Sequence, residues 1–168
     1  MDNPLTGNEI KSILNNKVKI IQYGQINDYN NIDELLSPYN RTIILYVWSK
    51  TEDNNPFGHW QLVFRNKNNN IEVFDSFGSW IDSFLDKIDK KFRAETGQSY
   101  KSLTKLLLNS NKKIEYNDKK LQNDNSNTCG KWCCYRLIKS DLDIDEFNNL
   151  FGSNTINNDK LILKIFSN

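Results

Sequence analysis

Four residue types follow one another along this chain in an order that suits a single thiol active site. They are a histidine in Gly58-His59-Trp60, a carboxylate at Asp75, an amide at Gln122 and a thiol in Thr128-Cys129-Gly130. The chemistry such a set performs is nucleophilic acyl transfer: an imidazole accepts the thiol proton, a carboxylate orients the ring, and an amide N–H stabilises the oxyanion. His59 is the only histidine among 168 residues, so a cysteine hydrolase here has one candidate base. Asn127 or Thr128 caps a helix that places Cys129 in its first turn, where the positive helix end and an imidazolium both favour thiolate. Gly130 leaves room for a substrate backbone to approach. Gln122, seven residues before Cys129, joins the Cys129 backbone N–H as an oxyanion donor, an interaction worth about 2.7–4 kcal/mol in a transition state.

Competing readings stand beside each of these. Cys133 and Cys134 read as small buried hydrophobes. Three cysteines and one histidine make four potential zinc ligands, but the thiols crowd one helix without paired short spacings on separate turns, and no metal is expected. A solvent-facing Gln in the polar segment 122–127 is the plain reading of Gln122, and an exposed hairpin carboxylate that of Asp75. The order, His before Cys, is opposite to that of papain-type enzymes.

These residues meet only if the elements between them do. Residues 59–65 and 71–75 read as two strands joined by the polar turn Asn66-Lys67-Asn68-Asn69-Asn70. Pairing Arg65 with Ile71 sets Gln61 opposite Asp75 and leaves His59 diagonal to Asp75 on the same face, about 7–8 Å away by Cα, within reach of an imidazole and a carboxylate. Residues 42–48 are β-branched and aromatic, a buried strand. Thr6 with Glu9 forms a capping box ahead of Ile10, Ile13 and Leu14. Residues 32–36 form a short helical turn, 99–108 an amphipathic helix, and 112–116 a short strand. Residues 129–139 form a helix with Trp132, Cys133, Leu137 and Ile138 facing a core. Helical patterns around 145–150 and 158–166 close the chain. The expected class is α+β, a central mixed or antiparallel sheet with a packed central helix carrying Cys129 and flanking helices, over one domain, 1–168.

Composition bounds the rest. Hydrophobic residues make up 38% and the net charge is +1 with a pI near 7.6, so no strong basic field draws in nucleic acid. The N-terminal residues lack the pattern of a signal peptide, and the apolar runs are too short to span a bilayer. Three cysteines, two of them adjacent, are unlike a secreted disulfide framework. A soluble, intracellular protein is expected.

Gly58-His59-Trp60, Phe74-Asp75-Ser76-Phe77-Gly78, Gln122 and Thr128-Cys129-Gly130-Lys131-Trp132-Cys133-Cys134 together resemble the adenovirus maturation protease family (adenain), within a group that includes SUMO-specific proteases and maturation proteases of large DNA viruses and virophages. The resemblance covers residues 59–137, and the N-terminal helix is similar too. The adenovirus enzymes usually carry Glu at the place of Asp75, whereas Asp is common elsewhere in the group. The resemblance implies a monomeric cysteine endopeptidase that cleaves at Gly-Gly-like or Gly-X-Gly sites. Trp60 then walls a channel that only glycine passes, with Trp48 as a second wall; plain core packing of Trp60 with Leu62 and Phe64 stands beside this. The implied substrates are viral capsid or core precursor proteins, in the virion and the host cytoplasm or nucleus, with no cofactor. The adenovirus enzyme is stimulated by DNA and by a peptide disulfide-bonded to a cysteine upstream of the Gln. This chain has no cysteine before Cys129, and its near-neutral charge weakens the case for a peptide or DNA activator. The rival readings are a protease for ubiquitin-like modifiers and a non-catalytic virion scaffold protein.

Overall fold

The Thr6/Glu9 capping box forms: Glu9 N donates to Thr6 Oγ1 at 3.2 Å and Thr6 N to Glu9 Oε1 at 3.0 Å. It opens α1 (Gly7–Ile13), whose Ile10 is buried. In the computed structural model, which describes residues 2–167, there follow β1 (Lys19–Gln22), a 3-10 helix (Tyr23–Asp28), α2 (Ile32–Leu36), β2 (Arg41–Lys50), β3 (Pro56–Arg65) and β4 (Ile71–Phe74). A second 3-10 helix (Ser83–Lys87), α3 (Lys90–Glu95), α4 (Ser102–Leu108), β5 (Ile114–Tyr116), α5 (Cys129–Ile138), α6 (Ile144–Asn148) and α7 (Thr155–Ile165) complete the order. Among the described residues no helix is long and apolar enough to cross a membrane.

The strands form one mixed sheet in the order β1-β2-β3-β4-β5. The outer pairs are parallel and the inner pairs antiparallel. Arg65 pairs with Ile71 as the turn length requires, and Asn66 Oδ1 closes the turn by accepting from the backbone N–H groups of Asn68 and Asn70. The class is therefore α+β, with both faces of the sheet covered. Alternation along β2 and β3 sorts side chains to two cores. Leu45, Trp60, Leu62 and Phe64 pack with Ile10 of α1 and with Trp132, Cys133 and Leu137 of α5. Ile44, Tyr46 and Val63 pack with Leu35, Leu36, Phe84 and Leu103. On the first face α5 lies against β3 and is tied to β4 by a buried ion pair, in which Arg136 Nε and Nη2 donate to the two oxygens of Glu72 at 2.8 and 2.9 Å.

The structure adds two elements that the sequence patterns did not indicate, β1 and α3, and corrects others. β1 is a short edge strand paired parallel to β2, and its four residues are too few to show a period. The 99–108 helix starts only at Ser102 and the 112–116 strand only at Ile114. α3 buries no side chain, so no apolar stripe marks it. Ile138 is 50% exposed at the end of α5 and does not face the core.

Candidate active site

Gly58 begins the positioning of the site. The β2–β3 ladder shifts register between Val47 and Ser49, and a Cβ on Gly58 would lie 1.8 Å from the Tyr46 carbonyl oxygen. Only glycine passes that point, directly before His59. His59 then points to the second core's side of the sheet, as does Gln61. Asp75 lies just past the end of β4. His59 Nε2 stands 3.1 Å from Asp75 Oδ1, and Gln61 Nε2 donates to Asp75 Oδ2 at 2.9 Å. The Asp75 backbone is clamped by Asn117, whose Oδ1 accepts from Asp75 N at 2.9 Å and whose Nδ2 donates to Asp75 O at 2.7 Å.

Cys129 is the first residue of α5 and approaches from the first-core side. Its Sγ accepts from the backbone N–H of Trp60, the residue next to His59, at 3.5 Å. With Nε2 turned to Asp75, Nδ1 is the ring nitrogen left for the thiol. His59, Asp75 and Cys129 are 3%, 2% and 6% exposed, so bulk water screens little of this contact. Burial by itself opposes the imidazolium. The Asp75 charge and hydrogen bond, helped by Cys129, outweigh it and push the His59 pKa up to about 10. Burial likewise opposes the Asp75 carboxylate; the His59 charge, the ring hydrogen bond and the Phe77 and Gln61 N–H donors hold its pKa below the usual range. The site thus favours imidazolium beside carboxylate. Burial pushes the Cys133 thiol well up and the Cys134 thiol to about 12.

Gln122 is buried in the segment leading to Cys129. Its Oε1 accepts from Ser76 Oγ at 2.5 Å and its Nε2 donates to the Ser126 carbonyl at 3.0 Å. It is therefore not the solvent-facing Gln of the plain reading, and one Nε2 hydrogen remains beyond the Ser126 bond. Thr128 is the N-cap residue of α5 but makes no side-chain cap bond. Its hydroxyl donates to Asp159 Oδ1 at 2.7 Å, and the same carboxylate accepts from Trp132 Nε1 and Asn123 N. Asp159 of α7 thus pins both ends of the 122–129 segment. The sequence offered no signal for it, because a lone Asp in a terminal helix has no local pattern.

Trp60 packs in the first core beside α5, and its Nε1 donates to the Leu5 carbonyl at 3.0 Å. A Cβ on Gly130 would meet Trp60 Cδ1 at 3.1 Å and Leu5 Cβ at 3.2 Å. The space expected for a substrate backbone at Gly130 is filled by the chain's own side chains, so close helix packing is what demands glycine there. Trp48 is 49% exposed and is separated from His59 by one ring: it lies 5.7 Å from Phe84, which stacks on His59 at 4.7 Å. Phe77 stacks on His59 at 4.9 Å. Among the described residues no group of three or more His, Cys, Asp or Glu side chains is arranged to hold a metal.

Arranged in this way, the site can abstract a thiol proton, carry the charge on His59 and return it. No family model matches the chain. Its structure is similar to that of ChlaDub1 from Chlamydia trachomatis at a TM-score of 0.44 and 17% identity, over 96% of this chain and 77% of the other. In sequence it is 36% identical over 145 residues to the uncharacterized protein V9 of Sputnik virophage, covering 85% of this chain and 80% of that protein. The chain belongs to the family of that virophage protein.

Proposed function

We propose that this chain is a cysteine endopeptidase with Cys129 as nucleophile and His59 as general base and acid. The observation that carries the reading is a buried grouping: the His59 ring 3.1 Å from the Asp75 carboxylate, and Cys129 at the head of a helix with its Sγ 3.5 Å from the backbone nitrogen next to His59. The thiol proton rests on His59 as an imidazolium–thiolate pair, and the thiolate sulfur adds to the carbonyl carbon of the scissile peptide. The oxyanion rests on the Cys129 backbone N–H, which as a first-turn donor has no intrahelical acceptor, and on the remaining N–H of Gln122. His59 gives its proton to the leaving amine as the C–N bond breaks, leaving a thioester. Water, deprotonated by His59, adds to the thioester, and thiolate departs to restore the enzyme.

The flanking Trp60 and the low exposure of Cys129 favour a chain without side chains at the cleavage point. Gly-Gly-like or Gly-X-Gly sites are the proposed targets, with Trp48 lining the approach. Precursor capsid or core proteins of a virus particle are the proposed substrates, in keeping with a relative encoded by a virophage. Co-expression with candidate structural proteins, followed by mass-spectrometric mapping of new termini, tests this. Ends after glycine appear with the wild type and are absent with Cys129→Ala; ends that persist with the variant overturn the proposal.

A further inference from the structure

Behind the carboxylate lies a buried polar chain that the reaction as written does not use. Gln61 is 1% exposed, on a strand face otherwise given to Val63 and the second core. A buried amide there carries a desolvation cost unless both its ends are bonded. Nε2 donates to Asp75 Oδ2 at 2.9 Å, and the Tyr46 hydroxyl, 2.8 Å from Oε1, has one hydrogen to share between that oxygen and a carboxylate beyond it. Only the N–H side of the amide can face a carboxylate, so Asp75 fixes its orientation. Tyr46 is held in turn, its hydroxyl 2.9 Å from Asp82 Oδ1. Asp82 is anchored by the Tyr23 hydroxyl at 2.8 Å and by Thr104 N and Oγ1 at 2.8 and 2.6 Å, and its backbone sits at φ 66°.

The two Asp75 oxygens are divided between different tasks. Oδ1 faces His59 Nε2 and accepts from Phe77 N at 2.8 Å. Oδ2 accepts from Gln61, its only hydrogen-bond donor among the described residues. A carboxylate held at one oxygen alone is free to turn about its terminal bond. Resting on the endopeptidase reading above, we propose that Gln61 is a positioning residue. It pins Asp75 Oδ2 so that Oδ1 meets the His59 ring, and the Tyr46–Asp82 pair fixes Gln61 to the opposite side of the second core.

His59 is the only histidine, so imidazole NMR reports on it alone. The ionisable groups around it are Asp75, Cys129, Tyr46, whose ring is 6.5 Å away, and Lys87, whose Nζ lies 5.4 and 5.5 Å from the Phe77 and Phe84 centroids. The test compares wild type with Gln61→Met, a substitution of similar length that cannot donate, and with Tyr46→Phe. In wild type the buried Nε2–H gives a low-field proton resonance. In Gln61→Met that resonance moves upfield or broadens, and the acid-side transition of the ring signals, which reports Asp75 protonation, moves to higher pH. Alkylation of Cys129 by iodoacetamide at pH 7 slows roughly tenfold or more, as expected for one hydrogen bond to a charged group. Tyr46→Phe leaves Gln61 in place without its anchor and gives the same changes to a smaller degree. It is the deciding variant if Gln61→Met does not fold. Unchanged Nε2–H resonance and acid transition in the folded variants overturn the inference. A wild-type Cys129 that reacts no faster than a free thiol overturns the endopeptidase reading instead, and the NMR comparison still decides the role of Gln61.

Discussion

Residue 59 and residue 61 share a strand face, and that parity explains how one carboxylate meets both an imidazole and an amide. The intervening Trp60 goes to the opposite core, where its ring limits what can stand at position 130. Gly130→Ala places a methyl about 3 Å from Trp60 and Leu5. We expect a loss of about 1–3 kcal/mol from overpacking, read by urea denaturation. Cys133 is completely buried and its thiol stays protonated. Cys133→Ser introduces a hydroxyl into that core and lowers stability by about 1–3 kcal/mol, while selective alkylation at Cys129 persists. Equal loss of Cys129 labelling in that folded variant would contradict the assignment of one reactive thiol.

Among the elements, α5 begins at Cys129 and two buried charges decide where it lies. Glu72 ties its Arg136 to β4, and Asp159 of α7 ties its start to the segment that holds Gln122. Removing either partner strands buried donors. Arg136→Met leaves the Glu72 carboxylate buried and unpaired, and a loss of about 3–5 kcal/mol is expected. The combined Arg136→Met/Glu72→Leu protein recovers most of it, as a thermal melt of the two variants measures. Asp159→Ala strips acceptors from Thr128, Trp132 and Asn123. Beyond a loss of about 3 kcal/mol, hydrogen exchange at residues 122–129 should speed up more than exchange in the sheet. Uniform acceleration would mean Asp159 serves global stability alone.

For the molecule as a whole, the His59–Asp75 pair makes stability depend on pH. The His59 pKa in the fold, about 10, lies above its ordinary value of 6.5, so its contribution is full below pH 6.5 and is lost as pH rises towards 10. The Asp75 pKa lies below 3.8, so its contribution is present above that value and fades as pH falls through the folded one. Urea titrations of wild type should show stability falling between about pH 6.5 and 10, with the fall largely removed in His59→Gln. A fall of the same size in both proteins would mean that other groups titrate in that window.

The local patterns were legible without coordinates: the Thr6/Glu9 box, the hairpin register that sets Gln61 against Asp75, and the helix opening at Cys129. Each depends on neighbours in sequence, where period, turn length and capping chemistry act over a few residues. The edge strand β1 and helix α3 were not legible, because the first is too short for a period and the second buries nothing. The two faces from which thiol and imidazole approach each other, the packing that fills the space at Gly130, and the use of Asp82, Asn117 and Asp159 as anchors were decided only in three dimensions. A single polar residue has no local signature, and its meaning comes from which distant donor the fold brings within hydrogen-bond distance.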